Sequence, residues 1–331
     1  MNINRVLPFV ALLLLAGCAV GGDKRDAQPD WVDGSSEKYP AQAYVVGIGS
    51  ADDLATARDR ARADVAKTFS VSVDQTSRDT QSYSSKDDGA GASSEYASEI
   101  QRDLTLRTQQ VLEGVTVPES WQDPETKRQH ALAVLNRAQA AARLRQDING
   151  LDAAAESLLS RARAANDNFT RAQLALAVVD NQRRRAALQS MLRAVDATGS
   201  GVSPRWPLAQ LEADLRTALS RITLRAEGEG PWRNILAGQL ADSGFTISDN
   251  GEYTVSLAAD ENAIKRDGWH WLRANLILDV KGPGGVSLGQ QRWELKESAT
   301  DAGTAEMRLR EKAATIIGRE GRDAILEIVK N

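Results

Sequence analysis

The feature that most constrains this chain is a short apolar run that ends at its only cysteine. Arg5 gives a positive start, an apolar run follows from Val6 to Leu15, and two small residues lead to Cys18. The run is far shorter than the roughly 20 residues of a membrane-spanning helix, and it matches the roughly 7–15 of a secretory signal. We therefore expect residues 1–17 to be a signal peptide.

Composition adds limits on the exported body. Because Cys18 is the only cysteine, no disulfide and no thiolate metal site can form within one chain, so packing must stabilise the fold. The 331 residues suffice for two domains with cores. The formal net charge of −4 gives no electrostatic reason to expect nucleic acid as a partner.

The sequence Leu-Ala-Gly-Cys at 15–18 resembles the lipobox of bacterial lipoprotein signals. The resemblance implies cleavage by signal peptidase II between Gly17 and Cys18, with a diacylglycerol on the thiol and an acyl chain on the new amino terminus. This covalent lipid is the only added group we expect, and no cofactor or metal. The alternative is an ordinary exported protein with a stray cysteine near its cleavage site.

Residues after Cys18 bear on location. Ala19 stands where an inner-membrane retention signal usually has Asp, which favours the outer membrane with the body in the periplasm. Residues 18–29 are polar and lack an apolar period, so we expect a flexible lipidated tether. The sequence leaves open whether the body faces the periplasm or the cell surface.

The first folded domain is expected over 30–137. Tyr44–Ile48 reads as a strand, and an alanine-rich helix follows with one apolar face (Leu54, Ala57, Ala61, Val65 and Phe69). Gly47-Ile48-Gly49 reads as a tight turn between them. A dinucleotide loop would need glycine at Asp52, and no Gly-Lys-Ser/Thr sequence is present.

This domain resembles the Lpp-twenty family of bacterial lipoproteins over about residues 29–145. The resemblance is carried by Pro29-x-Trp31, Tyr44–Ser50, Leu112–Val115, Trp121–Asp123 and the strand His130–Leu135. Relatives include outer-membrane lipoproteins required for flagellar function and the first domain of a flagellar H-ring assembly protein. The family therefore implies location and fold, and it carries no catalytic residue.

Between these motifs, Ser77–Ser98 is small and polar and predicts a mobile loop, either a binding element or a hairpin tip. Residues 138–197 predict a long helical hairpin broken at Asn166–Asn168. Arg183–Arg185 lies on its second helix, where we expect a solvated face, the alternative being contact with lipid phosphates or another acidic surface.

A Gly-, Ser- and Pro-rich linker at 198–207 precedes a carboxy-terminal α/β domain at 208–331. The pattern predicts helices at Leu208–Leu219, Pro231–Ser243 and Met307–Val329, and strands at Ile222–Arg225, Phe245–Ile247, Tyr253–Ala259, Trp269–Val280 and Val286–Lys296. Leu236–Phe245 and Gly289–Trp293 resemble small α/β sandwich modules of the TolB amino-terminal type. The predicted fold class is α+β.

We find no hydrolytic triad, no paired catalytic carboxylates and no metal-ligand spacing. The two histidines, His130 and His270, lie far apart in sequence. We therefore expect a protein that is not an enzyme and binds no metal.

The best candidate for partner contact is Trp269, Trp271 and Arg273. Strand alternation puts an apolar row toward the helices (His270, Leu272, Ala274, Leu276, Leu278 and Val280) and these three on the opposite side. Exposed tryptophan and arginine could stack on sugars or on protein. The alternative is that Trp293 and Leu295, on the neighbouring strand, cover them.

The sequence thus predicts a non-enzymatic outer-membrane lipoprotein, a structural or assembly factor of the cell envelope, with flagellar or motility machinery the most specific assignment. Its partners would be the outer membrane, through the lipid, and envelope or flagellar proteins. Peptidoglycan and a homo-oligomer remain open. The alternative is a periplasm-facing regulatory binder, such as an activator of peptidoglycan synthesis.

Overall fold

The computed structural model describes residues 28–69 and 113–330. The predicted signal peptide, Cys18, most of the tether and the predicted loop Ser77–Ser98 lie outside these residues. Within them, no helix is both long and apolar enough to cross a membrane.

The first sheet has three antiparallel strands in the order β1-β3-β2. They are β1 (Tyr44–Ala51), β2 (Thr116–Gln122) and β3 (Gln129–Asn136). A helix over residues 54–69, here α1, packs Ala57, Ala61, Val65 and Phe69 against one face of this sheet, while Leu54 is only half-buried. The strand and the amphipathic helix predicted for this domain are confirmed.

Gly47 and Gly49 lie within β1, so the turn expected there is wrong. A Cβ atom at Gly49 would overlap the backbone of Ala57, and one at Gly47 would overlap the backbone of Ala61. The glycines are needed because α1 crosses directly over the strand at a distance that leaves no room for side chains.

Trp31 closes the other face of this sheet. It lies in a short 3₁₀ helix (Asp30–Asp33), and only 1% of its surface is exposed. Its indole Nε1 donates a hydrogen bond to Glu119 Oε2 at 2.9 Å, and Lys38 Nζ lies 2.7 Å from Glu119 Oε1. The segment that follows the predicted tether is thereby fixed to the domain.

The predicted helical hairpin is present as α2 (Arg137–Ala164) and α3 (Asn168–Val195). Asn136 and Asp167 cap the two helices by accepting hydrogen bonds from Gln139 N and Thr170 N. The end of α3 packs in the core of the first domain, while its start packs in the carboxy-terminal core. One helix therefore joins the two cores.

Arg185 is buried, so the solvated face expected for Arg183–Arg185 is wrong. Only 2% of Arg185 is exposed, and its Nε donates to Asp152 Oδ1 at 2.7 Å. Arg183 is largely covered and pairs with Glu212 at 2.9 Å. The reason is that this turn of α3 faces α2, α4 and the linker instead of water.

The linker at 198–207 is also fixed to the hairpin. Val202 N donates to Gln189 Oε1 at 3.0 Å, and Arg185 Nη2 donates to Ser203 O at 3.1 Å. Val202 packs against the first core. The segment changes composition as a linker does, but polar side chains of α3 hold its backbone.

The carboxy-terminal domain holds a sheet in the order β5-β4-β6-β7-β8. Its elements are α4 (Leu208–Ser220), β4 (Thr223–Gly228), α5 (Pro231–Asp242), β5 (Thr246–Ile247), β6 (Tyr253–Arg266), β7 (Trp269–Lys281), β8 (Ser287–Ala299), α6 (Ala302–Ile316), a π-helical turn (Ile317–Gly321) and α7 (Arg322–Lys330). The α+β fold class is confirmed.

Two boundaries differ from expectation by more than three residues. β6 continues past Ala259 to Arg266, and the last helical segment begins at Ala302 instead of Met307. The earlier start follows from Asp301, whose side chain accepts a hydrogen bond from Thr304 N at 2.8 Å and so caps α6.

Candidate functional site

The carboxy-terminal sheet carries its core on one face only. The predicted apolar row of β7 is confirmed: all of its members from Leu272 to Val280 are buried, and they join one core with residues of α4, α5, α6 and α7. The residues between them point away from the helices. This second face holds the predicted contact residues.

The outer face can be followed row by row, since partners on adjacent antiparallel strands share a face. Ile264, Trp271 and Ser298 form one row across β6, β7 and β8. The next row is Asn262, Arg273 and Lys296, followed by Asp260, Asn275 and Glu294. Trp269 lies beyond the first row, opposite Arg266.

Both predicted tryptophans are exposed, Trp269 by 44% and Trp271 by 37%. Ile264, the direct neighbour of Trp271, is exposed by 51%. Lys296 Nζ lies 5.0 Å from the centroid of the Trp271 ring, within the range of a cation–π contact. We name Ile264, Trp269, Trp271, Arg273 and Lys296 the aromatic–cationic patch.

The alternative, that Trp293 and Leu295 cover the tryptophans, is wrong. Trp293 is paired with Leu276 and Leu295 with Ala274, so both lie on the helix-facing side. The indole Nε1 of Trp293 donates to Glu320 Oε2 at 2.6 Å. Leu295 therefore belongs to the core and Trp293 packs against it, and neither covers the patch.

Sequence reasoning found Trp269, Trp271 and Arg273 but missed Ile264 and Lys296. Ile264 lies in the part of β6 beyond Ala259 that was not expected to be a strand. Lys296 was expected only to end its strand. That its side chain lies on the outer face follows from its position opposite Arg273, and this register between β7 and β8 was not known from the sequence.

A shallow trough runs along the outer face and includes part of the patch. Its lining includes an acidic row, Asp260, Asn275 and Glu294, beside a cationic row, Asn262, Arg273 and Lys296. The patch end of the face is cationic and apolar, and the row of Asp260 and Glu294 bounds it. This surface is suited to a partner that presents apolar and acidic groups together.

The histidines lie in different sheets. His130 of β3 is opposite Trp121 of β2, with ring centroids 5.4 Å apart. His270 of β7 is opposite Ala299, in the helix-facing row. In residues 28–69 and 113–330, no group of three or more His, Cys, Asp or Glu side chains is placed to hold a metal ion.

Carboxyl groups with a lowered pKa lie at turns and helix starts. A threonine two or three residues further along the chain donates hydrogen bonds that favour the charged carboxylate and so lower its pKa. This holds for Asp53, Asp123, Asp167, Asp196 and Asp301. Burial raises the pKa of Tyr253, whose ring packs on Phe169. These shifts come from local structural contacts.

Over the described residues, the chain is an α+β protein whose carboxy-terminal sheet has an open outer face. No family model matches the chain. No curated protein sequence matches it either. A solved structure that it resembles is the secreted protein HP1454 from Helicobacter pylori, at 14% identity and a TM-score of 0.41 over 84% of this chain and 97% of that one. At that level the likeness carries no argument about function.

Proposed function

We propose that this chain is a non-enzymatic outer-membrane lipoprotein that binds an envelope partner through the aromatic–cationic patch, as a structural or assembly factor. The observation that carries the proposal is the exposure of Trp269 and Trp271 beside Arg273 and Lys296, on a sheet face that no described helix covers.

The side-chain types in the patch support a binding role. Tryptophan and arginine are enriched among residues that dominate binding energy, and a tryptophan buries about 150–250 Å² when a partner covers it. Trp269 and Trp271 are 44% and 37% exposed, so a partner could still cover somewhat less than half of each side chain. The patch also rests on β7, whose other face is the core, so its backbone is held rigidly before binding.

The predicted anchor and the position of Trp31 limit where the body can act. A lipid on Cys18 would be joined to the buried Trp31 by a segment that spans at most about 45 Å when fully extended. Because Trp31 is fixed to the first sheet, the tether would hold the domain within that distance of the membrane. Such a reach suits an assembly factor that works near the outer membrane, including flagellar or motility machinery.

A second candidate is a regulatory binder that reaches inward, such as an activator of peptidoglycan synthesis. The two exposed indole rings favour it in one respect, because tryptophan also stacks on sugars. A saccharide partner would be bound mainly through the ring faces of Trp269 and Trp271. A protein partner would use the charges of Arg273 and Lys296 as well.

Site-specific photo-crosslinking in living cells tests the proposal. A photoreactive phenylalanine analogue at position 271 should capture a defined envelope protein that mass spectrometry can identify. The matched control is the same analogue at Val286, which is 67% exposed and lies in the turn between β7 and β8, at the opposite end of β7 from Trp271. Equal capture at both positions, or none at position 271, would contradict a partner site at the patch.

Isolated peptidoglycan separates the two candidates. If the partner is a protein, purified full-length chain should not co-sediment with sacculi more than the Trp269→Ala/Trp271→Ala variant does. Sedimentation that depends on both tryptophans would favour the regulatory binder instead.

A further inference from the structure

The second half of β6 is a free edge of the sheet. β4 pairs with β6 only as far as Gly228, which lies opposite Leu257, while β6 continues to Arg266. Every residue from Asp260 to Arg266 is exposed. Among the described strands, none pairs with this side of β6 beyond Leu257.

A free edge presents unpaired backbone N–H and C=O groups and can accept another strand. The edge of β6 reads Asp-Glu-Asn-Ala-Ile-Lys-Arg over residues 260–266, and it has no proline to block pairing. Arg266 Nε forms an ion pair with Oδ2 of its neighbour Asp267 at 3.3 Å, and both side chains are exposed. Asp260, Glu261 and Lys265 form no ion pair in the part of the chain that the structure describes.

The charges on this edge are self-complementary when the strand is reversed. Two acids stand at its start, two bases stand at its end, and Ala263 is the central residue. An antiparallel copy centred on Ala263 places Asp260 opposite the partner's Arg266. The same register places Glu261 opposite the partner's Lys265, and each pair occurs twice by symmetry.

We propose that two copies of this chain form a two-fold dimer by pairing their β6 edges antiparallel about Ala263. Even-numbered residues of this edge lie on the outer face and odd-numbered ones on the helix-facing side, as their β7 partners show. The four ion pairs are therefore shared between both faces of the joined sheet. Opposite charges directly across two strands stabilise the pairing, and like charges destabilise it.

Other registers lose this match. A two-fold axis at Asn262 would set Asp260 opposite the partner's Ile264 and leave the bases opposite alanines. A parallel pairing in register would set Asp260 opposite the partner's Asp260 and Lys265 opposite the partner's Lys265, so that like charges meet. The sequence of the edge therefore favours the antiparallel register centred on Ala263.

The dimer would join the two aromatic–cationic patches. In the proposed register Ile264 lies opposite the partner's Asn262, so the row of Trp271 and Ile264 continues into the partner's row of Asn262 and Arg273. One wide surface would then replace two separate ones. The pairing itself does not depend on whether the patch binds a partner.

Charge reversal of the full-length protein in detergent, followed by analytical ultracentrifugation, tests the register. Glu261→Lys and Lys265→Glu should each lower the dimer association constant at least fivefold, because each sets like charges opposite one another. The double variant should recover wild-type association, and an equimolar mixture of the two single variants should form mixed dimers. Glu294→Lys, an exposed reversal on β8 away from the edge, should leave association unchanged.

A cysteine on the two-fold axis gives an independent readout. Opposed Cβ atoms of antiparallel strands lie about 4.5–5.5 Å apart, so Ala263→Cys should crosslink to its copy with a short bismaleimide. Asn275→Cys, in the central strand β7, should not, and neither should the parent chain.

A wild-type protein that stays monomeric at all concentrations would overturn the dimer. Single reversals that associate normally, or a double variant that fails to recover, would overturn the register. A dimer without crosslinking at position 263 would place the interface elsewhere and overturn the proposal as well.

Discussion

Arg185 of α3 donates a hydrogen bond through Nε to Asp152 Oδ1 of α2 at 2.7 Å, and both side chains are buried. The same guanidinium reaches the backbone of Ser203 in the linker. This pair therefore fixes the two helices of the hairpin and the linker at one point between the two cores.

Removing one member of this pair should destabilise the protein strongly. Asp152→Ala leaves the Arg185 charge buried without its carboxylate, which typically costs about 3–5 kcal/mol of unfolding free energy. Urea unfolding measures the loss. The control is Arg205→Ala, which breaks the exposed pair with Glu156 and should cost no more than about 1 kcal/mol. Equal losses for the two variants would contradict the assigned role of burial.

The close contact of α1 with β1 should make Gly49 intolerant of any side chain. Gly49→Ala would force a methyl group into the backbone of Ala57, and such overpacking costs about 1–3 kcal/mol. Gly150→Ala, inside α2 with open space around it, should instead stabilise by about 0.5–1 kcal/mol. Thermal unfolding of both variants should show opposite shifts in Tm, and shifts of the same sign would refute the close packing of α1 on β1.

The helix cap at Asp167 predicts a pH dependence of stability. Backbone and side-chain hydrogen bonds from Thr170 hold the pKa of this carboxyl below its ordinary value of 3.8. Since the folded pKa is depressed, the stabilisation is present above 3.8 and is lost as pH falls through the folded value. Asp167→Asn can still cap α3 but does not titrate, so its unfolding free energy should fall less steeply between pH 5 and pH 2. An unchanged slope would show that the cap makes no contribution.

The lipid anchor is tested at Cys18 itself. Cys18→Ala should abolish incorporation of labelled palmitate and leave an uncleaved precursor or a soluble body, because the residue that would carry the acyl chains is gone. Fractionation of the wild-type protein should place it in the outer membrane. Unchanged labelling of the variant would refute the lipoprotein prediction.

Much of the fold could be predicted because its main elements show clear periods. The alternation from Trp269 to Val280 gave both faces of β7, and the spacing of Leu54 to Phe69 gave the buried face of α1. The second half of β6 was missed for a physical reason. Because Asp260–Arg266 is exposed on both faces, no alternation of apolar and polar residues marks it as a strand.

Other features depend on how elements meet, which a single sequence does not encode locally. Arg185 is buried because α2 and the linker cover its turn of α3, and three consecutive arginines give no sign of this. Likewise, the sequence suggested Trp293 as a cover for Trp271 but could not decide which face Trp293 occupies or which residue of β7 it lies opposite. That required the register of β7 and β8, which the structure supplies.

We propose that Trp269 and Trp271 serve binding and not packing, and a double substitution measured in two ways tests this role directly. Trp269→Ala/Trp271→Ala should change the unfolding free energy little, because both rings lie outside the core, yet weaken partner binding by about 1–3 kcal/mol or more. Trp293→Ala is the matched control: it should cost about 3–5 kcal/mol of stability, since that ring packs against the core. A large loss of stability in the double variant, or undiminished partner capture by it, would contradict the account.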